Sequence, residues 1–489
     1  MKTLLLPKLL AGALALLLTI TIAGYLILLR PVAQPRTEDP ARLFNHGSIG
    51  NESTRGLPYW IWRVLPQMFP QYLPGRQEGY GSLGLFWEAG EELPVGFSKK
   101  TIGVIPFVAA NCAFCHQSTY RLRADEPSTL VVGGTGGAVD PQGFLRFLMR
   151  AGADPRFTGD NFIKEITAIY DMPLWEQLLY RFVLVPFTKS ALIEQVRRNA
   201  WMDSRPDWGG GRIDPFNPVK FFNLKLADDG TIGNSDMMPL WNLAALKEGS
   251  GYALHWDGLS TSLEETALAG AIGDGLVSNA YADTKENLAR IDDFIRLNQP
   301  PPSPFRTTLK AGDPFRVETA QVEAGRVVYR NQCAECHEPT GARYRTVIPA
   351  GEIGTDRHRI DMWTQQSADR YNHYEPGYDW KFKAFQKVNG YLANELTGLW
   401  LRGPYLHNGS VPNLRELLAP PQRRSSAFYR GYDLVDAKNG GFVSQGAEPE
   451  RVGWRYETST PGNGNSGHVY GVDLSDDEKE NLLAYLKTL

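Results

Sequence analysis

The chain has 489 residues, a formal net charge of −3 and a pI near 6.3, with 42% hydrophobic and 21% charged residues. That length allows two or three domains with cores of their own, and the composition is typical of a soluble globular body. The acidic balance argues against nucleic-acid binding, which normally needs a basic surface, so we expect no nucleic-acid partner.

The N-terminal region contains an uncharged, mostly apolar run from Leu9 to Leu29, preceded by Lys2 and Lys8 and followed by Arg30. A run of about 20 apolar residues can span a bilayer, whereas the apolar region of a signal peptide is usually about 7–15 residues long. We therefore predict a transmembrane helix that acts as a membrane anchor, with a cleaved signal peptide as the alternative.

The motif Cys-x-x-Cys-His occurs twice, as Cys112-Ala-Phe-Cys115-His116 and as Cys333-Ala-Glu-Cys336-His337. In this motif the two thiols form thioethers to a porphyrin, and the adjacent imidazole binds the iron. The two copies use all four cysteines of the chain. A four-thiolate zinc site usually has its pairs within about 15–20 residues, and neither zinc nor a dithiol site needs a histidine after each pair. We predict two covalently bound haem c groups, with His116 and His337 as proximal ligands.

The attachment motifs also predict a compartment. They resemble those of bacterial c-type cytochromes, whose haem is attached outside the cytoplasm. The basic residues ahead of the apolar run favour an N-terminus on the cytoplasmic side. We therefore expect the inner membrane as the location, with the protein body on the periplasmic side, either tethered there or released by cleavage.

A long insertion follows the first motif. Within it, residues 173–196 carry an apolar helical pattern. A glycine-rich loop then runs from Trp208 to Asp214 and contains Arg212. Because a guanidinium group matches a carboxylate in shape and charge, Arg212 is a candidate partner for a haem propionate.

An internal repeat divides the chain. Leu254-His255-Trp-Asp-Gly258 resembles Leu406-His407-Asn-Gly409, and Lys285-Glu-Asn-Leu288 recurs as Lys479-Glu-Asn-Leu482. Between the copies, the proline run of residues 298–304 forms a stiff spacer. The predicted regions are a membrane anchor or signal (1–30), an irregular segment packing on the first lobe (31–99), a first haem lobe (100–299), a proline-rich linker (300–314) and a second haem lobe (315–489).

Two helices of the second lobe are predicted to cross. Gly325 lies on the helix before the second attachment motif, where the missing side chain permits close approach. The candidate partner is the last helix, which begins with a capping box at Ser475 and Glu478. The predicted fold is mainly α-helical, with two cytochrome c-like helical lobes, long irregular insertions and an N-terminal transmembrane helix.

The ligand on the other side of each iron decides whether a haem only carries electrons or also binds a small molecule. No methionine follows Met362, so a histidine is expected at the second haem. His468, in a glycine-rich loop before the last helix, is the first candidate and His407 the alternative. His358 and His373 are weaker candidates.

The first lobe has neither histidine nor methionine between Asp257 and Thr284. Met237 and Met238 are possible iron ligands, although methionines next to Pro239 more often fill a core. His255 is a candidate proton-transfer group in the distal pocket, or simply a hydrogen-bonded histidine of the fold. The two lobes therefore indicate one haem whose iron has protein ligands on both sides and one haem whose iron has a free coordination position.

At this level the chain resembles the dihaem cytochrome c peroxidase superfamily, which includes the enzyme that matures methylamine dehydrogenase. The resemblance covers residues 100–489 and rests on the two attachment motifs and on Gly403-Pro-Tyr-Leu-His407-Asn-Gly-Ser-Val-Pro-Asn-Leu-Arg-Glu416. Pro461-Gly-Asn-Gly-Asn-Ser-Gly-His468 is closer to the branch of the haem-dependent rubber oxygenases.

The peroxidase resemblance implies a catalytic low-potential haem and a His/Met electron-entry haem, but the expected methionine after His407 is absent. The rubber-oxygenase branch implies a first haem that binds dioxygen and a bis-histidine second haem. Because this chain is shorter than those oxygenases and carries a predicted anchor, we do not predict polymer cleavage for it.

Two functions follow from these patterns. The first is a periplasmic oxidoreductase that activates hydrogen peroxide or dioxygen at the first haem, while the second haem transfers electrons. The second is a non-catalytic dihaem carrier. Either function requires a periplasmic electron donor or acceptor protein as a partner.

Overall fold

The computed structural model describes Thr19, Gln34 and residues 36–245, 252–374 and 381–489. Eighteen α-helices lie in this part of the chain: Pro40–His46, Glu52–Arg55, Tyr59–Met68, Cys112–Cys115, Pro141–Ala153, Gly159–Thr167, Leu174–Leu179, Val185–Arg198, Leu263–Gly273, Ser278–Leu297, Thr319–Gln332, Ala334–His337, Ala350–Ile353, His358–Met362, Gln365–Tyr371, Leu414–Leu417, Ala447–Val452 and Asp476–Lys487. Shorter 3₁₀ and π turns occur at Pro70–Tyr72, Gly79–Leu83, Tyr180–Leu184, Ala200–Ser204, Val219–Asn223, Leu243–Ala245, Leu399–Leu401 and Pro421–Arg423.

Five small antiparallel sheets accompany the helices of the described residues. One has three strands, Leu57–Pro58, Ile105–Ala110 and Phe97–Ile102, with the second in the middle. The others are strand pairs: Gln117–Tyr120 with Thr129–Val132, Arg212–Ile213 with Ser235–Asp236, Val347–Pro349 with Gly390–Leu392, and Ala427–Arg430 with Trp454–Glu457.

The prediction of a mainly α-helical fold is therefore wrong, because the part of the chain that the structure describes is 42% helical and 12% strand. Each strand has two to six residues, which is too short to give a clear alternating pattern in the sequence. Long insertions that were expected to be irregular also contain helices, such as Pro141–Ala153.

The predicted N-terminal transmembrane helix is not supported. Among the residues with described positions, no helix combines the length and the apolar character needed to cross a bilayer. Apart from Thr19, the apolar run from Leu9 to Leu29 lies outside the described residues.

A β-hairpin leads directly into the first attachment motif. Its second strand ends at Ala110, and Asn111 then caps the short helix Cys112–Cys115 by accepting a hydrogen bond from the Ala113 amide. The Asn111 side-chain amide also donates to two carbonyl groups at the end of helix Pro40–His46. This one buried asparagine therefore fixes the motif against helix Pro40–His46.

The second attachment motif follows helix Thr319–Gln332, which crosses helix Asp476–Lys487 as predicted. A side-chain carbon at Gly325 would lie 1.9 Å from the Asn481 carbonyl oxygen, so only glycine fits the crossing. Both hydrogen bonds of the predicted capping box are present, from the Glu478 amide to the Ser475 side chain and from the Ser475 amide to the Glu478 side chain, which confirms that prediction.

The predicted helix in the insertion forms, but much of its apolar pattern does not face a core. Leu174, Leu178 and Phe182 are 69%, 47% and 64% exposed. The buried face instead contains Tyr180 and Val185, which pack in an aromatic core with helices Tyr59–Met68 and Pro141–Ala153.

The two halves of the chain share a core. Leu43, Leu263 and Ile291 of the first half pack in one buried cluster with Trp363 and Tyr371, which come from beyond the proline run. Trp363 and Tyr371 follow the second attachment motif in the sequence and precede the loop of His468. They thus help to stabilise the core next to the first motif.

Candidate haem-binding sites

The histidines of both attachment motifs are oriented in the same way. His116 Nδ1 donates to the Met238 carbonyl oxygen at 2.8 Å, and His337 Nδ1 donates to the Asn394 carbonyl oxygen at 2.6 Å. Burial lowers the pKa of both imidazoles. A neutral ring whose Nδ1–H is held by a carbonyl presents its Nε2 lone pair, which is the arrangement an iron ligand needs.

His468 faces His337 at a separation suited to one metal ion. The two ring centroids are 6.3 Å apart with an angle of 43° between the planes. Bonds from a metal to imidazole nitrogen are about 2 Å long, so two such bonds and the two ring radii span this gap. Burial, followed by the charge of His337, lowers the pKa of His468 to about 4. Its Nδ1 is buried without a hydrogen-bond partner.

The loop fixes His468 through its backbone. His468 has a φ of +44°, in the left-handed region, and its amide donates to the Ile353 carbonyl oxygen at 2.8 Å. Arg424 donates to the carbonyl oxygens of Gly467 and His468. Gly467 has a φ of +73°, and a side-chain carbon there would lie 2.3 Å from the Gly354 carbonyl carbon, so glycine permits the close approach of this loop.

The other histidines of the second half are engaged elsewhere. His407 stacks on Tyr391 with centroids 4.0 Å apart, and its Nε2 lies 3.0 Å from the Tyr391 hydroxyl oxygen. His358 Nδ1 lies 3.0 Å from an Asp356 carboxylate oxygen. His373 is exposed and bonds to the Asp369 carbonyl oxygen. Geometry favours His468 over these three as the second-haem ligand.

The first motif has a different environment. In the described part of the chain, no imidazole is stacked opposite His116 in the way that His468 faces His337. Met238 supplies the carbonyl that orients His116, and Met237 packs beside Gly136, next to the Cys115 carbonyl. The segment of these two methionines therefore lies on the His116 side, not opposite it.

His255 is the buried histidine associated with the first motif. Its ring packs edge-on against Phe216 with centroids 5.4 Å apart, and its Nε2 has no hydrogen-bond partner. Burial, followed by the charges of Arg359 and His116, lowers the pKa of His255 to about 3. His255 is thus a neutral imidazole with a free nitrogen, close enough to His116 for their charges to interact.

The structure aligns the two copies of the repeated turn differently from the alignment suggested by the sequence. The bridge from Leu254 to Ser260 matches the bridge from Tyr405 to Val411. His255 and Leu406 both have positive φ, at +66° and +71°. His255 is therefore equivalent to Leu406, and the predicted match of His255 with His407 is wrong by one residue.

Arg212, the predicted propionate partner, is 1% exposed. Its Nε and Nη2 have no hydrogen-bond partner, although Nε lies 4.0 Å from Asp236 Oδ1. A buried guanidinium with free N–H groups is costly unless an anion completes it, so Arg212 fits a haem carboxylate. Sequence reasoning missed two similar residues, Arg359 and Arg430, because no motif contains them.

The four cysteines lie in two separate pairs, one in each attachment motif. All four are free thiols in the described residues. Across the described ranges, no three histidine, cysteine, aspartate or glutamate side chains gather as a protein-only metal site. The paired thiols therefore remain available for porphyrin attachment at two separate places.

Residues 390–429 match the family described as RoxA-like, cytochrome c-like. The chain is similar to c-type cytochromes. A cytochrome c-like domain implies covalently bound haem c. The matched residues include His407 and the helix Leu414–Leu417, which belong to the motif on which the family resemblance was based.

Two relatives come from Sinorhizobium fredii (strain NBRC 101917 / NGR234). The uncharacterized protein y4iJ is 39% identical over 108 residues, which are 20% of this chain and 18% of y4iJ. The uncharacterized protein y4iM is 27% identical over 225 residues, which are 36% of this chain and 50% of y4iM. The matches thus span half or less of each relative's length.

Proposed function

We propose that this protein is a dihaem c-type cytochrome in which one haem transfers electrons and the other activates a small oxidant. His337 and His468 would hold the iron of the second haem from opposite sides. His116 would hold the iron of the first haem, whose other face stays open. The observation that carries the proposal is the 6.3 Å separation of the His337 and His468 rings, which has no counterpart at His116 among the described residues.

The chemistry follows from this asymmetry. An iron with two protein ligands has no free position and suits electron transfer, whereas an iron with one ligand can bind a small molecule. Bound haem supplies the one-electron chemistry, and the protein controls access and hydrogen bonding. His255, neutral and with a free Nε2, would hydrogen-bond hydrogen peroxide or dioxygen in the first-haem pocket.

The proposal includes a compartment and a partner. Covalent haem attachment supports a periplasmic location, as argued from the two motifs. The partner would be a periplasmic protein that donates or accepts electrons at the second haem.

Low-temperature electron paramagnetic resonance of the purified ferric protein tests the proposal. We expect one low-spin bis-histidine signal and one high-spin signal, together with carbon monoxide binding to one of two reduced haems. Two low-spin signals without carbon monoxide binding would make the protein an electron carrier and overturn the catalytic assignment. An oxygen-electrode assay and a peroxide-consumption assay then distinguish the two oxidants.

A further inference from the structure

Three arginines lie buried near the junction of the two halves of the chain. Arg212, Arg359 and Arg430 are each at most 3% exposed. Arg212 and Arg430 lie over the same Tyr456 ring, at 5.1 and 5.5 Å. Arg359 donates to Asp257, whose neighbour Trp256 donates through Nε1 to the Asp236 carbonyl oxygen, and Arg430 donates to the Asp236 carboxylate. Hydrogen bonds through Asp236 and the Trp256–Asp257 pair thus connect Arg359 with the other two. We call the three side chains the arginine cluster.

The protein leaves five guanidinium nitrogens of this cluster without a hydrogen-bond partner. They are Nε and Nη2 of Arg212, Nε and Nη1 of Arg359, and Nε of Arg430. Isolated buried charges with free N–H groups are strongly unfavourable, and native proteins normally satisfy such groups. The cluster therefore has the character of an anion site.

The neighbouring carboxylates do not complete the cluster. Arg430 Nη1 donates to Asp236 Oδ1 at 2.7 Å, and Arg359 Nη2 donates to Asp257 Oδ1 at 3.2 Å. Both bonds use nitrogens other than the five that remain free. The five nitrogens therefore remain available to an additional anion, although Arg212 Nε also lies 4.0 Å from Asp236 Oδ1.

The position of the cluster relates it to both haem sites. Asp236 lies two residues before Met238, whose carbonyl oxygen orients His116. On the other side, Arg430 donates to the carbonyl oxygen of Asn408. The Asn408 side chain donates to Gly462 and Gly464 carbonyl oxygens, in the loop that carries His468.

We infer that the arginine cluster is a shared binding site for the carboxylates of the two haems. Each haem c carries two propionate groups, and a guanidinium binds a carboxylate through two parallel hydrogen bonds. The inference rests on the proposed dihaem function and adds an electrostatic connection between the haems. Positive charge beside a haem favours its reduced state, so the cluster raises the reduction potential of the haem it binds.

Arg212 is the best position for a test. It has no hydrogen bond to Asp236, which keeps its bond to Arg430 when Arg212 is replaced. Arg212→Gln removes the charge, and Arg212→Lys keeps it. Arg205→Gln is the matched control, because Arg205 is also buried but is bonded to Asp228 and to two carbonyl oxygens.

The measurement is a spectroelectrochemical titration of the full-length haem-loaded protein, with covalent haem counted by mass spectrometry and folding checked by circular dichroism. We expect Arg212→Gln to keep both haems and to lower the potential of at least one by about 59 mV, a tenfold change for one electron. Arg212→Lys should recover most of this shift. Arg205→Gln should leave both potentials unchanged.

The outcomes separate the inference from the proposed function. A wild-type protein without two haems would contradict the proposed function itself. Two haems with unchanged potentials in Arg212→Gln and Arg359→Gln, or equal shifts in Arg212→Gln and Arg212→Lys, would overturn the shared carboxylate site alone. Wild-type potentials that change when sulfate replaces chloride would assign the site to a free anion and also overturn the inference.

Discussion

Trp256 and His407 occupy equivalent positions in the repeated turn and bond to the same residue. Trp256 Nε1 donates to the Asp236 carbonyl oxygen at 2.7 Å, and the Asp236 amide donates to the His407 carbonyl oxygen at 2.9 Å. The two copies of the turn therefore meet at Asp236. One copy thus has a tryptophan side chain where the other has a histidine, although the backbone of the turn is the same in both.

His468→Ala should change the coordination of the second haem alone. Removing the second imidazole leaves one protein ligand, so we expect the low-spin bis-histidine signal to be replaced by a high-spin signal. A second carbon monoxide site should also appear after reduction. The exposed His373→Ala is the control and should resemble the wild type. A low-spin signal that survives in His468→Ala but disappears in His407→Ala would contradict the ligand assignment.

His255→Ala should affect the reaction of the first haem without loss of either haem. A positioned hydrogen-bonding or proton-transfer group typically contributes about 10²–10⁴-fold to a rate. We expect at least a 100-fold slower reaction with the effective oxidant, measured by stopped-flow absorbance, and an unchanged low-spin signal. His358→Ala, which alters a half-exposed histidine paired with Asp356, is the comparison. Equal rates in His255→Ala and the wild type would exclude the proposed role.

Gly325→Ala should destabilise the helix crossing in the second half. The added carbon would lie 1.9 Å from a backbone oxygen, and overpacking of this kind costs about 1–3 kcal/mol or more. Gly270→Ala is the matched control, because Gly270 is also helical and no atom lies within 4 Å of the added carbon. It should stabilise the fold by about 0.5–1 kcal/mol. Denaturant unfolding gives both values, and a neutral Gly325→Ala would refute the crossing.

Asp292→Asn should alter the pH dependence of stability. Burial raises the pKa of Asp292 from 3.8 to about 6, and its Oδ1 has no partner. The folded state therefore binds this proton more tightly, so wild-type stability falls as pH rises from about 4 to 6.

The asparagine variant lacks this loss. It should be more stable than the wild type at pH 7, by up to about 3 kcal/mol, and similar to it near pH 4. Asp293→Asn, at the exposed neighbouring position, removes only the smallest of the charges that act on this pKa and should change the profile much less. Parallel pH profiles of Asp292→Asn and the wild type, from denaturant unfolding, would contradict the prediction.

Local patterns in the sequence predicted local structure well. The capping box at Ser475 and the close crossing at Gly325 depend on residues within one or two helices, and both occur in the structure. The strands were missed because they have only two to six residues each, too few to show a clear alternating pattern. Arg212 and Arg430, 218 positions apart in the numbering, meet over Tyr456, and no sequence pattern reports such a contact.

For the candidate haem sites, too, the sequence predicted the local features and not the long-range contacts. The attachment motifs predict the proximal histidines because each histidine directly follows its cysteine pair. The ligand on the other side of the iron comes from a loop that is distant in the sequence, and its position depends on the fold. His468 and His407 are alternatives in the sequence, and the ring positions are what support the proposal of His468. The match of His255 with His407 failed because the two turns have the same length, while the Leu-His pair stands one position earlier in the first turn than in the second.

The central claim is that both cysteine pairs hold haem. Intact-mass spectrometry of the full chain, produced together with a haem-ligation system and denatured before measurement, tests it directly. We expect the polypeptide mass plus two haem groups, falling to one in a Cys112→Ser/Cys115→Ser variant and to one in a Cys333→Ser/Cys336→Ser variant. A wild-type mass without two added haem groups, or a thiol variant that loses none, would contradict the account.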